Sequence, residues 1–176
     1  KKKKNGHVSI AVETPHSLAM YLPEAKMTAI LEDILTTVKT QIESLELSDM
    51  VDDSIIIQKV PSTRNFQSSD FPAILIAPGA PKLNPAKGTN IRDQIEYQVG
   101  VFIVDTDQQN QTLNREKYLN WYESIVKNFR TPRLSGVSSV VNSYVAPGAV
   151  VDPSWFEAGE YHAGMTLWFI SWESRT

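Results

Sequence analysis

Between Gln94 and Val104 the sequence QIEYQVGVFIV alternates apolar and polar residues. Ile95, Tyr97, Val99, Val101 and Ile103 fall on one face, and Gln94, Glu96, Gln98 and Gly100 on the other. A period of two predicts an antiparallel strand with one dry and one wet face. A second alternating segment, Glu160–Trp172, lies close to the end of the sequence. There Trp168, Ile170 and Trp172 share one face while Leu167 and Phe169 share the other. A strand apolar on both faces is covered on both, either by its own helices or by another chain.

The apolar spacing changes elsewhere. Ile30, Leu31, Ile34, Leu35, Val38, Ile42 and Leu45 recur at helical intervals, with Glu32, Asp33, Lys39 and Glu43 between them. This predicts an amphipathic helix over Glu24–Leu45, with Pro23 suited to its first turn. The aromatic-rich stretch Leu113–Phe129 predicts a second helix that stops before Thr131-Pro132. Shorter β-branched or apolar runs predict strands at Ser54–Val60, Ala73–Ala77 and Val137–Val145. Ala80–Asn90, with Pro81, Pro85 and Gly88, reads as a surface loop or hairpin tip, and Ala146–Gly159 as a second long loop. Residues 1–22 read as an arm laid on something else, with some strand character at Val8–Val12, and residues 23–176 as one domain.

The resulting order is α-β-β-β-α-β-β. Strands and helices do not alternate strictly, which argues against a doubly wound parallel sheet. Loops join Ala73–Ala77 to Gln94–Val104, and Val137–Val145 to Glu160–Trp172, which favours antiparallel pairs. The fold class is α+β: a mostly antiparallel sheet packed against two helices.

Composition narrows the function classes. A length of 176 residues fits one domain with a substantial core. A formal net charge of −3 advertises no nucleic-acid surface, and Lys1–Lys4 reads as a solvated tail, with phosphate contact as its alternative. The absence of cysteine excludes disulfides and thiolate chemistry. No apolar run approaches the ~20 residues needed to span a bilayer, so no membrane partner is expected. The basic start is not followed by the apolar stretch of a signal peptide. It also lacks an initiator Met, which is compatible with a start inside a longer chain or after processing.

Candidate chemistry is sparse. Val101–Asp107 (VFIVDTD) matches the apolar-run-then-DxD opening of magnesium-dependent phosphohydrolases, in which the first acid attacks phosphorus and both hold the metal. Asp105 and Asp107 would fill those roles. Against this, such a strand should be buried, central and parallel, and no later acidic pair on an apolar strand completes the site. Both residues are explained by a turn leading into a helix. His7, His16 and His162 show no metal-binding spacing, and neither a G-x-S-x-G elbow nor a phosphate-cradling glycine pattern occurs. No catalytic residue, cofactor or metal site is therefore assigned. The loop pair Trp155-Phe156 and the tryptophans of the last strand suit a protein interface, because Trp and Tyr concentrate at such contacts.

From Glu24 to Trp172 the chain resembles the tail terminator (tail completion) proteins of long-tailed bacteriophages. The resemblance lies in the N-terminal helix, Pro72-Ala-Ile-Leu-Ile76 with Pro78-Gly79, the long strand, the helix Leu113–Phe129, and a last strand preceded by a Pro/Trp/Phe/Gly loop. It implies an α+β subunit of a hexameric ring in the virion, assembled in the host cytoplasm. Such a ring caps the tail tube, ends its elongation and docks to the head–tail connector, while DNA passes through without specific binding. Another connector subunit or a tail-tube subunit is the alternative within assembly proteins. In such a ring Pro78, Lys82, Lys87, Arg92, Pro153, Trp155 and Phe156 are expected at subunit or partner contacts. Glu96 and Gln98, on the wet face of the long strand, are expected to face the channel.

Overall fold

A computed structural model of the protein describes residues 24–89, 91–106, 111–130, 134–148 and 161–174. The arm, Asp107 and the loop carrying Pro153, Trp155 and Phe156 lie outside the described residues. Two helices, α1 (Glu24–Glu43) and α2 (Gln111–Phe129), accompany strands β1 (Ile55–Ile57), β2 (Ala73–Pro78), β3 (Lys82–Asn84), β4 (Arg92–Asp105), β5 (Val140–Pro147) and β6 (Tyr161–Ser174). The sheet order is β1-β2-β4-β6-β5, with β3 also paired to β4. Every pairing is antiparallel except β1 with β2. The α+β class and the two antiparallel pairs match expectation.

β4 and β6 form the spine, paired along their full lengths from Arg92↔Ser174 to Asp105↔Tyr161. Their alternation decides what each face carries. On the inner face Ile95, Tyr97, Val99, Val101 and Ile103 of β4 stand beside Ala163, Met165, Leu167 and Phe169 of β6, all buried. Ile34, Leu35, Val38 and Ile42 of α1 and Tyr118, Trp121, Ile125 and Phe129 of α2 complete this core. At ~25 cal/mol per Å² of apolar surface, burial of this kind is the main force holding helices to sheet.

Three differences from the sequence reading have physical causes. The stretch expected as a loop over Ala80–Asn90 contains β3. β2 ends opposite Val99, so the lower part of β4 would be left unpaired on that side, and Lys82–Asn84 doubles back to pair with Gln94–Glu96. The strand expected from Val137 begins at Val140 instead, because Leu134–Ser139 makes turns in which Gly136 takes φ +99°. Finally, Gln94 and Glu96 are not on a wet face: both are buried. β3 and the 3₁₀ turn Pro85–Lys87 bring Asn84 and Lys87 to Glu96, and Gln94 turns its amide to the same carboxylate.

Candidate functional site

Among the described residues neither α1 nor α2 packs on the outer face of the sheet. On its β1–β2 side, Ala73, Leu75 and Val104 are buried beneath Phe66 and Phe71 of the segment between β1 and β2, with Ile56 and Phe102 beside them. Phe66 and Phe71 meet with ring centroids 5.5 Å apart. Phe102 lies along a strip of missing side chains: a Cβ at Gly100 would stand 2.7 Å from its ring, and one at Gly164 would stand 3.4 Å from it. Glycine at both positions makes room for the aromatic ring.

Toward β5 the same face changes character. Trp168, Ile170 and Trp172 of β6 alternate with the core residues and are only half-buried. Asn142, Tyr144 and Ala146 of β5 stand directly beside Ile170, Trp168 and Thr166. The Tyr144 and Trp168 rings are stacked, 5.9 Å between centroids and 8° from parallel. Tyr144 is 42% exposed, and its phenol is pushed up from its ordinary value by partial burial and then by the Glu96 charge. Gln98 lies opposite Trp168 on β4, half-buried. In this patch of two tryptophans, a tyrosine and an isoleucine, Tyr144 is exposed and the other three are half-buried. Neighbouring aromatics that stay partly accessible in this way suit a contact surface.

The flanking edges are blunted. β1 is three residues long, and β5 carries a bulge between Val140 and Asn142 and ends on Pro147. Short edges, bulges and prolines all discourage the addition of a foreign strand. Contact through the face is thus favoured over open-ended strand pairing.

The residues expected at interfaces separate into groups. Lys82, Lys87 and Arg92 are all exposed on the lobe formed by β3 and the turn after it, and the lobe also exposes Leu83 and Ile91. Pro78 is half-buried where β2 ends. Glu96, expected to face a channel, is 8% exposed; its Oε1 accepts from Asn84 Nδ2 at 3.4 Å and Gln94 Nε2 at 3.3 Å, and lies 3.7 Å from Lys87 Nζ. Its carboxylate is engaged by its own subunit, and of the two expected channel residues only Gln98 keeps a half-exposed position.

Asp105 is buried at the end of β4, where Tyr118 of α2 donates its hydroxyl proton to Oδ2 and the Thr106 N–H donates to Oδ1 at 2.7 Å. Oδ2 ties the strand to α2 and Oδ1 holds the backbone just beyond it, and β4 is antiparallel to every strand beside it. A phosphoryl-attacking carboxylate needs a free, accessible oxygen. Among the described residues no three His, Asp or Glu side chains cluster to hold a metal ion.

Two features escaped the sequence reading. Tyr144 is a lone aromatic on a short strand, and only pairing with β6 places it beside Trp168. Tyr97 donates a 2.5 Å hydrogen bond to Glu173 Oε1 inside the core, and its phenol is pushed far above the ordinary range, first by burial, then by that bond and the neighbouring charge. Glu173 Oε2 and Ser171 Oγ are buried beside it with no hydrogen-bond partner among the described residues. Alternation alone put Tyr97 in the core; nothing local announced an acid beneath it. No protein-family model matches the chain, and no curated protein matches it.

Proposed function

We infer that this protein is a structural subunit of a virion: a ring-forming tail terminator, or a closely related neck protein, of a long-tailed bacteriophage. It acts by assembly, without a catalytic step or cofactor. The observation that supports this reading is the β5 side of the outer face, where Tyr144 is exposed and Trp168, Ile170 and Trp172 stay half-buried beside a fully packed core. The order of elements, which is that of the family the sequence resembles, supplies the particular kind of assembly. In this reading six copies meet side by side around a channel, and the ring covers the last exposed surface of the tail tube. It then docks to the connector and lets DNA through without gripping it.

The test is imaging of tail tubes completed in the presence of this protein. The expected result is a six-fold ring at one end of tubes of uniform length. Finding the chain along the tube wall would make it a tube subunit, and finding it outside any symmetric ring would overturn the reading. Asp105→Asn is expected to leave ring formation and tube length unchanged. Magnesium-dependent phosphatase turnover that this substitution abolishes would replace assembly with enzymology.

A further inference from the structure

Two exposed lobes of opposite charge sit at opposite ends of the sheet. The turn between α1 and β1, residues 44–53, carries Glu46, Asp49, Asp52 and Asp53 and no basic residue. All four acids are exposed, and so is Val51, at 64%. Glu46 and Asp49 take positive φ, 48° and 61°, in the tight turns that present this segment. The nearest lysine, Lys39, is taken by Glu43 and by the carbonyl of Ile55. The lobe over residues 80–92 carries Lys82, Lys87 and Arg92 and no acid. Its apolar tips are Leu83 and Ile91, the latter 72% exposed. Lys87 reaches Glu96, whereas Lys82 and Arg92 have no ion pair among the described residues.

The register keeps these lobes apart within one molecule. The acidic turn leads straight into Ile55, which pairs with Ile74, which in turn pairs with Ile103. The basic lobe is pinned at the other end, through Lys82↔Glu96 and Arg92↔Ser174. At ~3.3 Å per residue, the seven to eleven positions between these levels of β4 amount to roughly 25–35 Å. That is several Debye lengths at physiological salt, taken as ~8 Å each, so neither lobe can neutralise the other in its own chain. Each lobe pairs an apolar tip with charges of one sign, and the two signs are complementary.

We propose that the acidic turn of one copy of this chain docks on the basic lobe of the next, with Val51 against Leu83 and Ile91. The contact is heterologous and head-to-tail, the type that closes into a ring when the rotation between copies closes, and otherwise grows into a filament. Closure at six rests on the assembly role proposed above; the contact itself is tested separately. Complementary charge sets register and speeds encounter, while the apolar tips supply the desolvated centre.

The full chain contains no cysteine, which makes disulfide trapping clean. Val51→Cys and Leu83→Cys, both at exposed positions, are purified separately, mixed and mildly oxidised. The expected product is the mixed dimer, several-fold in excess of either homodimer. Equal or smaller amounts of mixed dimer would overturn the contact. The double variant, V51C with L83C in one chain, is expected to give a ladder of linked copies. A ladder stopping at six supports the ring; an open-ended ladder keeps the contact but overturns the ring; a ring that forms with no cross-link keeps the ring and overturns the contact. Charge reversal adds a second arm. K82E/R92E and D52K/D53K are each expected to lose self-association at least tenfold, and to recover it when mixed, because each then presents the charge its partner lacks. No recovery on mixing would overturn the proposed contact.

Discussion

The two halves of the outer face share strands and alternation, yet among the described residues one encloses a buried cluster and the other is only half-buried. On the β1–β2 side, Leu75, Ala73 and Val104 lie under Phe66 and Phe71, and the chain buries its own apolar surface. On the β5 side, Trp168, Ile170 and Trp172 carry at least as much apolar surface and remain only half-buried. Covering the first half needs a 15-residue excursion between Ile57 and Ala73, in which phenylalanines meet strands distant in sequence. Ordering such a segment costs roughly 1–2 kcal/mol per residue in backbone entropy, which its burial must offset. In the assembly proposed above, the aromatics that the described residues leave partly accessible are the ones a partner would cover.

Removing apolar bulk should therefore have opposite consequences on the two sides. Leu75→Ala, in the covered half, is expected to lower stability by about 2–5 kcal/mol in denaturant unfolding, because it leaves a cavity in a packed cluster. The molecules that remain folded should assemble normally. Trp168→Ser, on the β5 side, is expected to cost less, about 1–2 kcal/mol in the isolated chain, since the indole is only partly buried. It should nonetheless weaken self-association at least tenfold by sedimentation or native mass spectrometry, as loss of an aromatic anchor does. If Trp168→Ser destabilises the monomer as much as Leu75→Ala and leaves association intact, the β5 side is ordinary core and the contrast collapses. A smaller effect sharpens it: Tyr144→Phe keeps the ring stacked on Trp168 and is expected to change monomer stability by no more than about 0.5 kcal/mol.

How much of this was readable depends on the range of the interaction. The inner faces of β4 and β6 were legible because a period of two survives any rearrangement of neighbours, and Tyr97, Val99 and Leu167 lie where alternation put them. Glu96 was misplaced because its cover, Lys82–Asn84, is three residues between prolines, too short to carry a period. The acids of residues 46–53 and the bases of residues 82–92 were visible as charges. Their placement at opposite ends of the sheet depends on the parallel β1–β2 pairing, which composition does not encode. Trp168 and Trp172 were legible as a doubly apolar strand, but Phe66 sat in a polar stretch, STRNFQSSD, with no local sign that it would fold over Leu75. Asp105 was legible as a turn residue, whereas the Tyr118 hydroxyl that occupies its carboxylate comes from the middle of a helix thirteen residues on.

The finest separation of inner from outer surface is a titration. Tyr97 is fully buried beneath the sheet and holds its proton against Glu173, so its folded pKa lies far above the unfolded value of 10.0; Tyr144, on the β5 side, is raised as well but remains partly in solvent. For an acid whose folded pKa is raised, the unfolded chain releases the proton first. Below about pH 10 both states keep it and the full stability is present. Above that, the unfolded state binds fewer protons than the folded one, and stability falls as pH rises, by up to ~1.4 kcal/mol per pH unit for one such group. Tyr97→Phe should cost about 1–3 kcal/mol at neutral pH, because it leaves Glu173 Oε1 buried without its donor. It should also flatten the alkaline decline by one proton's worth of slope. Tyr144→Phe should flatten it far less in the isolated chain and more in the assembled state, where a partner desolvates the phenol. The measurement is stability against pH from 8 to 11 for the three proteins. Equal slopes for wild type and Tyr97→Phe would mean that the Tyr97 proton is not held by the core, and equal shifts for Tyr144 in monomer and assembly would mean that nothing covers the β5 side.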